Sequence, residues 1–108
     1  MRKLIYLIIG FSFACNQPAE NTPTTPFVMV LGIAQDAGYP QINCKQECCK
    51  QAWGNSELQR TTSCLAIVDP ISKEQWIIDA TPNIKEQLQL LKQKTGTEKL
   101  DGILLTHA

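Results

Sequence analysis

Leu100-Asp-Gly-Ile-Leu-Leu-Thr-His-Ala108 (LDGILLTHA) reads as a short apolar strand that ends in a polar pair. Ile103, Leu104 and Leu105 form its centre, and Thr106 and His107 stand at its carboxyl end. His107 is the only histidine among 108 residues. In α/β sheets the carboxyl ends of strands present functional side chains to a crevice. A neutral imidazole is also a common ligand of catalytic zinc. On spacing alone, a lone histidine after a strand reads as a polar strand terminus, so its meaning depends on what stands upstream.

Upstream, 75–80 (QWIIDA) and 63–68 (SCLAIV) predict two strands, and 69–74, with its Asp-Pro and Ser, predicts a hairpin connection. Thr81-Pro82 supplies an N-cap and a proline at the first helical position. Ile84, Leu88 and Leu91 then fall at i, i+4 and i+7, one apolar stripe on a helix that stops at Gly96. Further back, 27–34 (FVMVLGIA) is a continuous apolar run, which predicts a strand buried on both faces. Between them, 35–51 predicts a Gly-, Pro-, Asn- and Cys-bearing loop, far longer than the usual connection of about 4–6 residues. The order strand, long loop, hairpin, helix, strand predicts an α/β layer fold: a mixed sheet with a packed helix. Gly32 and Gly38 form no phosphate-binding pattern, and no nucleotide site is expected.

Taken together, these pieces resemble the metallo-β-lactamase fold. There an apolar strand ends in Thr-His, and His-x-His-x-Asp-His supplies most ligands of one or two metals. His107 matches the first histidine, with Ala108 in the x position. Trp76-Ile-Ile-Asp79-Ala80-Thr81-Pro82 matches the family's second hairpin strand and its terminal aspartate, which implies that Asp79 supports the metal loop by hydrogen bonding. Val30-Leu31-Gly32 through Gly38-Tyr39-Pro40-Gln41 and Asn43-Cys44 resembles the opening of the branch containing the pyrroloquinoline quinone biosynthesis protein B. The resemblance covers 27–108 and departs from the family at Asp36-Ala37-Gly38 and in its cysteine spacing. It implies the N-terminal half of an αββα sandwich, incomplete in this chain, with the remaining ligands expected beyond Ala108.

Cys44, Cys48 and Cys49 fall within six residues. Relatives in this branch carry a cysteine cluster here that binds a structural zinc, which implies the same for these three thiols. The adjacent Cys48 and Cys49 do not readily point the same way, so one of them is expected to be no ligand. A disulfide is the alternative in an oxidising compartment, and free thiols are the third reading. Cys64 lies in a core strand, where a free cysteine is an ordinary small hydrophobe.

The other end of the chain reads as an export signal. Arg2 and Lys3 precede an apolar run, 4–14 (LIYLIIGFSFA), shorter than the roughly 20 residues that span a bilayer. Ser12-Phe13-Ala14-Cys15 resembles a lipobox. Residues 1–14 are therefore expected to be a lipoprotein-type signal peptide and Cys15 the lipidated residue. A plain cleaved signal and an uncleaved anchor are the alternatives. Residues 16–26 (NQPAENTPTTP) predict a solvated tether, leaving 27–108 as the folded part. Ten basic and ten acidic residues cancel, so no nucleic-acid partner is expected.

The resemblance implies a metal-dependent hydrolase in which a zinc-bound water attacks an ester- or phosphoester-type bond of a small molecule. The protein is expected to be exported and held by its lipid on the periplasmic side of a bacterial envelope. One histidine cannot hold a catalytic zinc, so these 108 residues alone are expected to be inactive. The other reading is a non-catalytic, membrane-tethered binding domain stapled by its cysteines.

Overall fold

The computed structural model describes residues 23–107. The expectations for 1–14 and Cys15, and most of the tether, lie outside the described residues. Strand β1 is Phe27–Gly32, and helix α1, Glu47–Gly54, is followed by a single 3-10 turn at Ser56–Leu58. Strands β2 (Cys64–Asp69) and β3 (Glu74–Ile78), helix α2 (Ile84–Thr95) and strand β4 (Gly102–Leu104) complete the chain. The sheet runs β1-β2-β3-β4, antiparallel at the first two pairings and parallel between β3 and β4. A parallel pair needs a crossover connection, and α2 is that connection. The mixed sheet with packed helix is thus present.

Alternation explains which face α2 covers. Along β2, Cys64, Ala66 and Val68 are buried while Leu65 and Ile67 between them are partly exposed. Register places Met29 beside Ala66 and Ala66 beside Ile77 on that same face. Leu91 of α2 closes over this layer, with Ile84 and Leu88 packed against it, so the Ile84/Leu88/Leu91 stripe faces the core. Burying Ile77 and Leu91 contributes roughly 1.5–3 kcal/mol each. Gly96 ends α2 in the left-handed conformation, its N–H donating to Lys92 O at 2.8 Å.

The opposite face corrects the expectation that β1 is buried on both sides. Val28 is 60% and Val30 56% exposed. Cross-strand register aligns Val28 with Ile67 and Trp76, and Val30 with Leu65 and Ile78. That face is apolar but, among the described residues, has no layer on it; a sheet face stays exposed until something packs on it. Trp76 also lies across Gly102 of β4. A Cβ at Gly102 would come within 2.3 Å of the Trp76 ring, so any side chain here would force the ring or β4 to move.

Three local boundaries differ from the sequence expectation. The expected loop 35–51 gives way at Glu47 to α1, whose buried Cys49 and Ala52 are one turn apart; the clustered cysteines disguised that stripe. Helix α2 begins at Ile84, not at Pro82, because Thr81 Oγ1 accepts from Asn83 N in a turn of its own. β4 ends at Leu104, since the next backbone donors turn away from the ladder to Asp79.

Candidate functional site

The parallel strands β3 and β4 end side by side, which brings Asp79 next to Thr106 and His107. Asp79 N donates to Leu104 O at 2.8 Å, the last backbone tie between the two strands. Beyond it Asp79 turns to φ 68, a left-handed conformation that aspartate tolerates better than most residues. Its carboxylate then accepts twice from one residue: Thr106 N on Oδ1 at 2.8 Å and Thr106 Oγ1 on Oδ2 at 2.7 Å. These bonds, the backbone one first, hold the Asp79 carboxyl below the usual carboxylate range, with the nearby His107 ring adding to the effect.

Thr106 Oγ1 also lies 2.9 Å from His107 Nδ1. An ionised carboxylate can only accept, so the single hydroxyl proton of Thr106 goes to Asp79. Oγ1 must then accept from Nδ1–H. This network assigns the tautomer of His107: the proton sits on Nδ1 and the lone pair on Nε2. An exposed imidazole with its second nitrogen anchored in this way is the arrangement of a metal-ligating histidine. The donor set therefore suits zinc. It supplies one ligand: among the described residues, no group of three or more His, Cys, Asp or Glu side chains could hold a metal ion.

His107 and Asp79 border a cleft of about 430 Å³ with Asp36, Thr62, Ser63 and Thr81. Its walls are sewn together by buried and half-buried polar groups. Asn83 Oδ1 accepts from Thr62 N at 3.0 Å and from Thr62 Oγ1 at 3.1 Å. Buried Gln87 donates from Nε2 to Thr62 O at 2.7 Å and accepts from Thr81 Oγ1 at 2.7 Å. Ser63 N donates to Ala34 O at 2.8 Å. Helix α2 thereby fixes the loop that forms one wall of the cleft, and every buried polar atom of Gln87 is satisfied. The sequence signals for Asp36, Thr62, Asn83 and Gln87 were slight. Only Asn83, next to the Thr81-Pro82 cap, stood where a polar helix start was already expected.

The cysteines lie elsewhere. Cys44 and Cys49 form a disulfide with a Cα–Cα distance of 5.9 Å, tying α1 to the preceding loop. Cys48 is an exposed free thiol and Cys64 a buried one. The three-thiolate zinc arrangement expected at Cys44, Cys48 and Cys49 is thus not formed in this structure. The cause is helical: neighbouring positions on α1 diverge by about 100°, so Cys49 turns in toward Cys44 while Cys48 turns out. Cys64 behaves as a core hydrophobe with two further contacts, its Sγ 3.5 Å from Asp79 O and 3.7 Å from Leu65 O. Burial pushes its thiol up, and the Asp79 charge adds to that.

No family model matches the chain. It is 34% identical over 86 residues to coenzyme PQQ synthesis protein B of Methylorubrum extorquens (strain PA1), and 39% identical over 86 residues to the protein of that description in Methylobacterium nodulans. The first match covers 74% of this chain and 29% of the relative, so the chain spans less than a third of the length of the curated relatives it matches. Among solved structures, it is similar to zinc-bound PqqB from Methylobacterium extorquens, with TM-score 0.61 and 32% identity over 74% of this chain and 29% of that one. It is also similar to a diphosphatase of the PhnP family, with TM-score 0.57 and 25% identity over 77% of this chain and 30% of the other.

Proposed function

We propose, since this chain carries part of a metallo-β-lactamase fold and stands on the branch resembling coenzyme PQQ synthesis protein B, that the whole protein is a metal-dependent hydrolase of a small ester- or phosphoester-type substrate. The observation that carries the reading is the ordered chain His107 Nδ1, Thr106 Oγ1, Asp79 Oδ2. It leaves His107 Nε2 as an oriented donor at the mouth of a cleft. Zinc held there would act as a Lewis acid and make a neutral-pH nucleophile from water. The residues of this chain prepare the place for it. His107 would hold the ion through Nε2. Thr106 keeps the ring in one tautomer, and the Asp79 carboxylate balances the positive charge that a ligated imidazole acquires. Thr62, fixed by Asn83 and Gln87, and Ser63, fixed by Ala34 O, give substrate a rigid wall on one side. About three protein ligands are needed at a catalytic zinc, so the reading requires others from outside the described residues.

The test is to express the whole protein and measure zinc content together with hydrolysis of a nitrophenyl ester and a nitrophenyl phosphodiester. His107→Ala should lose zinc and most of the activity. Retention of both at the parental level would sink the proposal. Zinc bound with no hydrolysis of any ester or phosphoester would favour the non-catalytic binding domain. The Cys44–Cys49 staple is the observation in favour of that second reading.

We also propose that the protein is an exported lipoprotein, anchored through Cys15 on the periplasmic side of the envelope. The basic pair Arg2-Lys3, the apolar run before Cys15 and the tether after it support this. A disulfide is also at home in an oxidising compartment. Cys15→Ser should move the protein from the membrane fraction to the soluble one; an unchanged distribution would count against the anchor.

A further inference from the structure

Beside the Thr62–Asn83 tie lies a second cleft, of about 450 Å³, which shares no lining residue with the His107 cleft. Its frame is held by short bonds. Tyr39 and Arg60 face each other as an isolated antiparallel pair, Tyr39 N donating to Arg60 O at 2.8 Å and Arg60 N to Tyr39 O at 2.9 Å. Directly opposed residues of such a pair carry their side chains on the same side of it. Arg60 Nη1 donates to Glu57 O and to Gln59 O, each at 2.7 Å, and Gln59 Nε2 donates to Ala52 O at 3.1 Å.

Those bonds position the side chains without using them up. Nε and Nη2 of Arg60 have no partner among the described residues. Asn83 Oδ1 is committed to Thr62, which fixes the amide and leaves its two Nδ2 donors unused among the described residues. The Glu86 carboxylate, on the first turn of α2, is likewise without a partner among them. Amid these groups stands Trp53, at the end of α1, with its side chain 57% exposed. An open indole ringed by unused donors and acceptors suits a ligand that is apolar on one face and polar at its rim.

Arg60 and Glu86 are the charged groups of the lining, one of each sign, so the ligand needs no net charge. A sugar ring has this character. Its C–H face packs on an indole, and each hydroxyl can both donate and accept, which serves a guanidinium and a carboxylate alike. The volume lies within the roughly 300–1,000 Å³ of small-molecule sites. We propose that this cleft binds a single neutral pyranose, its C–H face on Trp53 and its hydroxyls on Arg60, Asn83 and Glu86. The site rests on none of the zinc chemistry at His107.

The test is titration of the whole protein with methyl β-D-glucopyranoside, followed by the amide NMR spectrum. The sugar should shift the Trp53 indole N–H and the Asn83 side-chain amide, and the shifts should saturate. Trp53→Ala and Glu86→Ala both change exposed side chains, so the remaining signals should keep their parental positions. Each variant should weaken the sugar by about tenfold. Absence of saturable shifts in the parent would overturn the proposal, as would unchanged affinity in both variants. Tighter binding of gluconate would mark an anion site around Arg60 instead, and tighter binding of adenosine a nucleobase platform; either result also sinks the pyranose assignment.

Discussion

Asp79 holds Thr106 with both carboxylate oxygens, at 2.8 and 2.7 Å, across 27 residues of chain. Because the Thr106 hydroxyl proton is committed to Asp79, the next bond in line, to His107, has only one possible direction. An aspartate that touches no metal thereby decides which imidazole nitrogen is free to bind one.

Asp79→Asn tests that relay with little backbone strain, since asparagine also tolerates the φ of 68 found here. The amide can no longer take both Thr106 donors as an ionised acceptor. Zinc affinity of the whole protein is expected to fall by about 10–100-fold, the usual effect of losing a ligand's hydrogen-bond partner. Competition with a chromogenic chelator measures it, and an unchanged affinity would show that His107 needs no such support.

Acid should destabilise the fold through the same carboxylate. The folded-state pKa of Asp79 is depressed, so its contribution is present above the unfolded value of about 3.9 and is lost as pH falls through the folded value. Asp101 behaves alike, held low first by Lys99 and then by Gln75 N. The urea midpoint should therefore be flat from neutral pH to about 5 and drop below about 4. Asp79→Asn should flatten part of that drop; a parental acid profile in this variant would remove Asp79 from the explanation.

Gly102→Ala places a methyl group 2.3 Å from the Trp76 ring, so either the ring or β4 must move. Overpacking of this kind costs about 1–3 kcal/mol. A lower Tm is expected, and a second change, Trp76→Val, should recover much of it. A Gly102→Ala variant as stable as the parent would mean that β4 has room to slide.

Gln87→Ala strips donors and acceptors from a site that water does not reach. Thr62 O loses its donor and the Thr81 hydroxyl its acceptor, although Asn83 N still donates to Thr81 Oγ1, and Gln87 is itself only 1% exposed. About 1–3 kcal/mol of stability should be lost for the unpaired groups, with a cavity term added. Denaturant unfolding at neutral pH reads the difference. The cleft wall at Thr62 should loosen as well, seen as faster exchange of its amide hydrogen.

Much of this arrangement was legible in the sequence, and the reasons divide cleanly. The hairpin, the α2 stripe and the Gly96 stop follow from local periodicity and backbone preference, which act over a few residues. Asp79 and His107 stood out because each ends an apolar strand. Their meeting through Thr106 did not, since it depends on the parallel register of β3 with β4. Helix α1 was hidden because only two of its eight residues are buried, too few for a visible period. The pairing of Cys44 with Cys49 instead of a three-sulfur cluster turned on which side of α1 Cys48 and Cys49 face. The Asn83–Thr62 and Gln87–Thr62 ties are long-range contacts between polar residues, and hydrophobic patterning carries no information about them.

The parallel pairing of β3 with β4 also sets an order of assembly. The β2–β3 hairpin closes across a short turn, whereas β4 must come back across the whole of α2, and contacts so far apart in sequence form slowly. His107 receives its orientation only when that last strand has docked. During refolding, the amide of Trp76, which faces β2, should gain exchange protection before that of Thr106, and pulsed hydrogen exchange can time the two. On the proposed reading, a metal ion arriving early would meet an imidazole that has not yet been told which way to face, so high-affinity capture would report that β4 has docked.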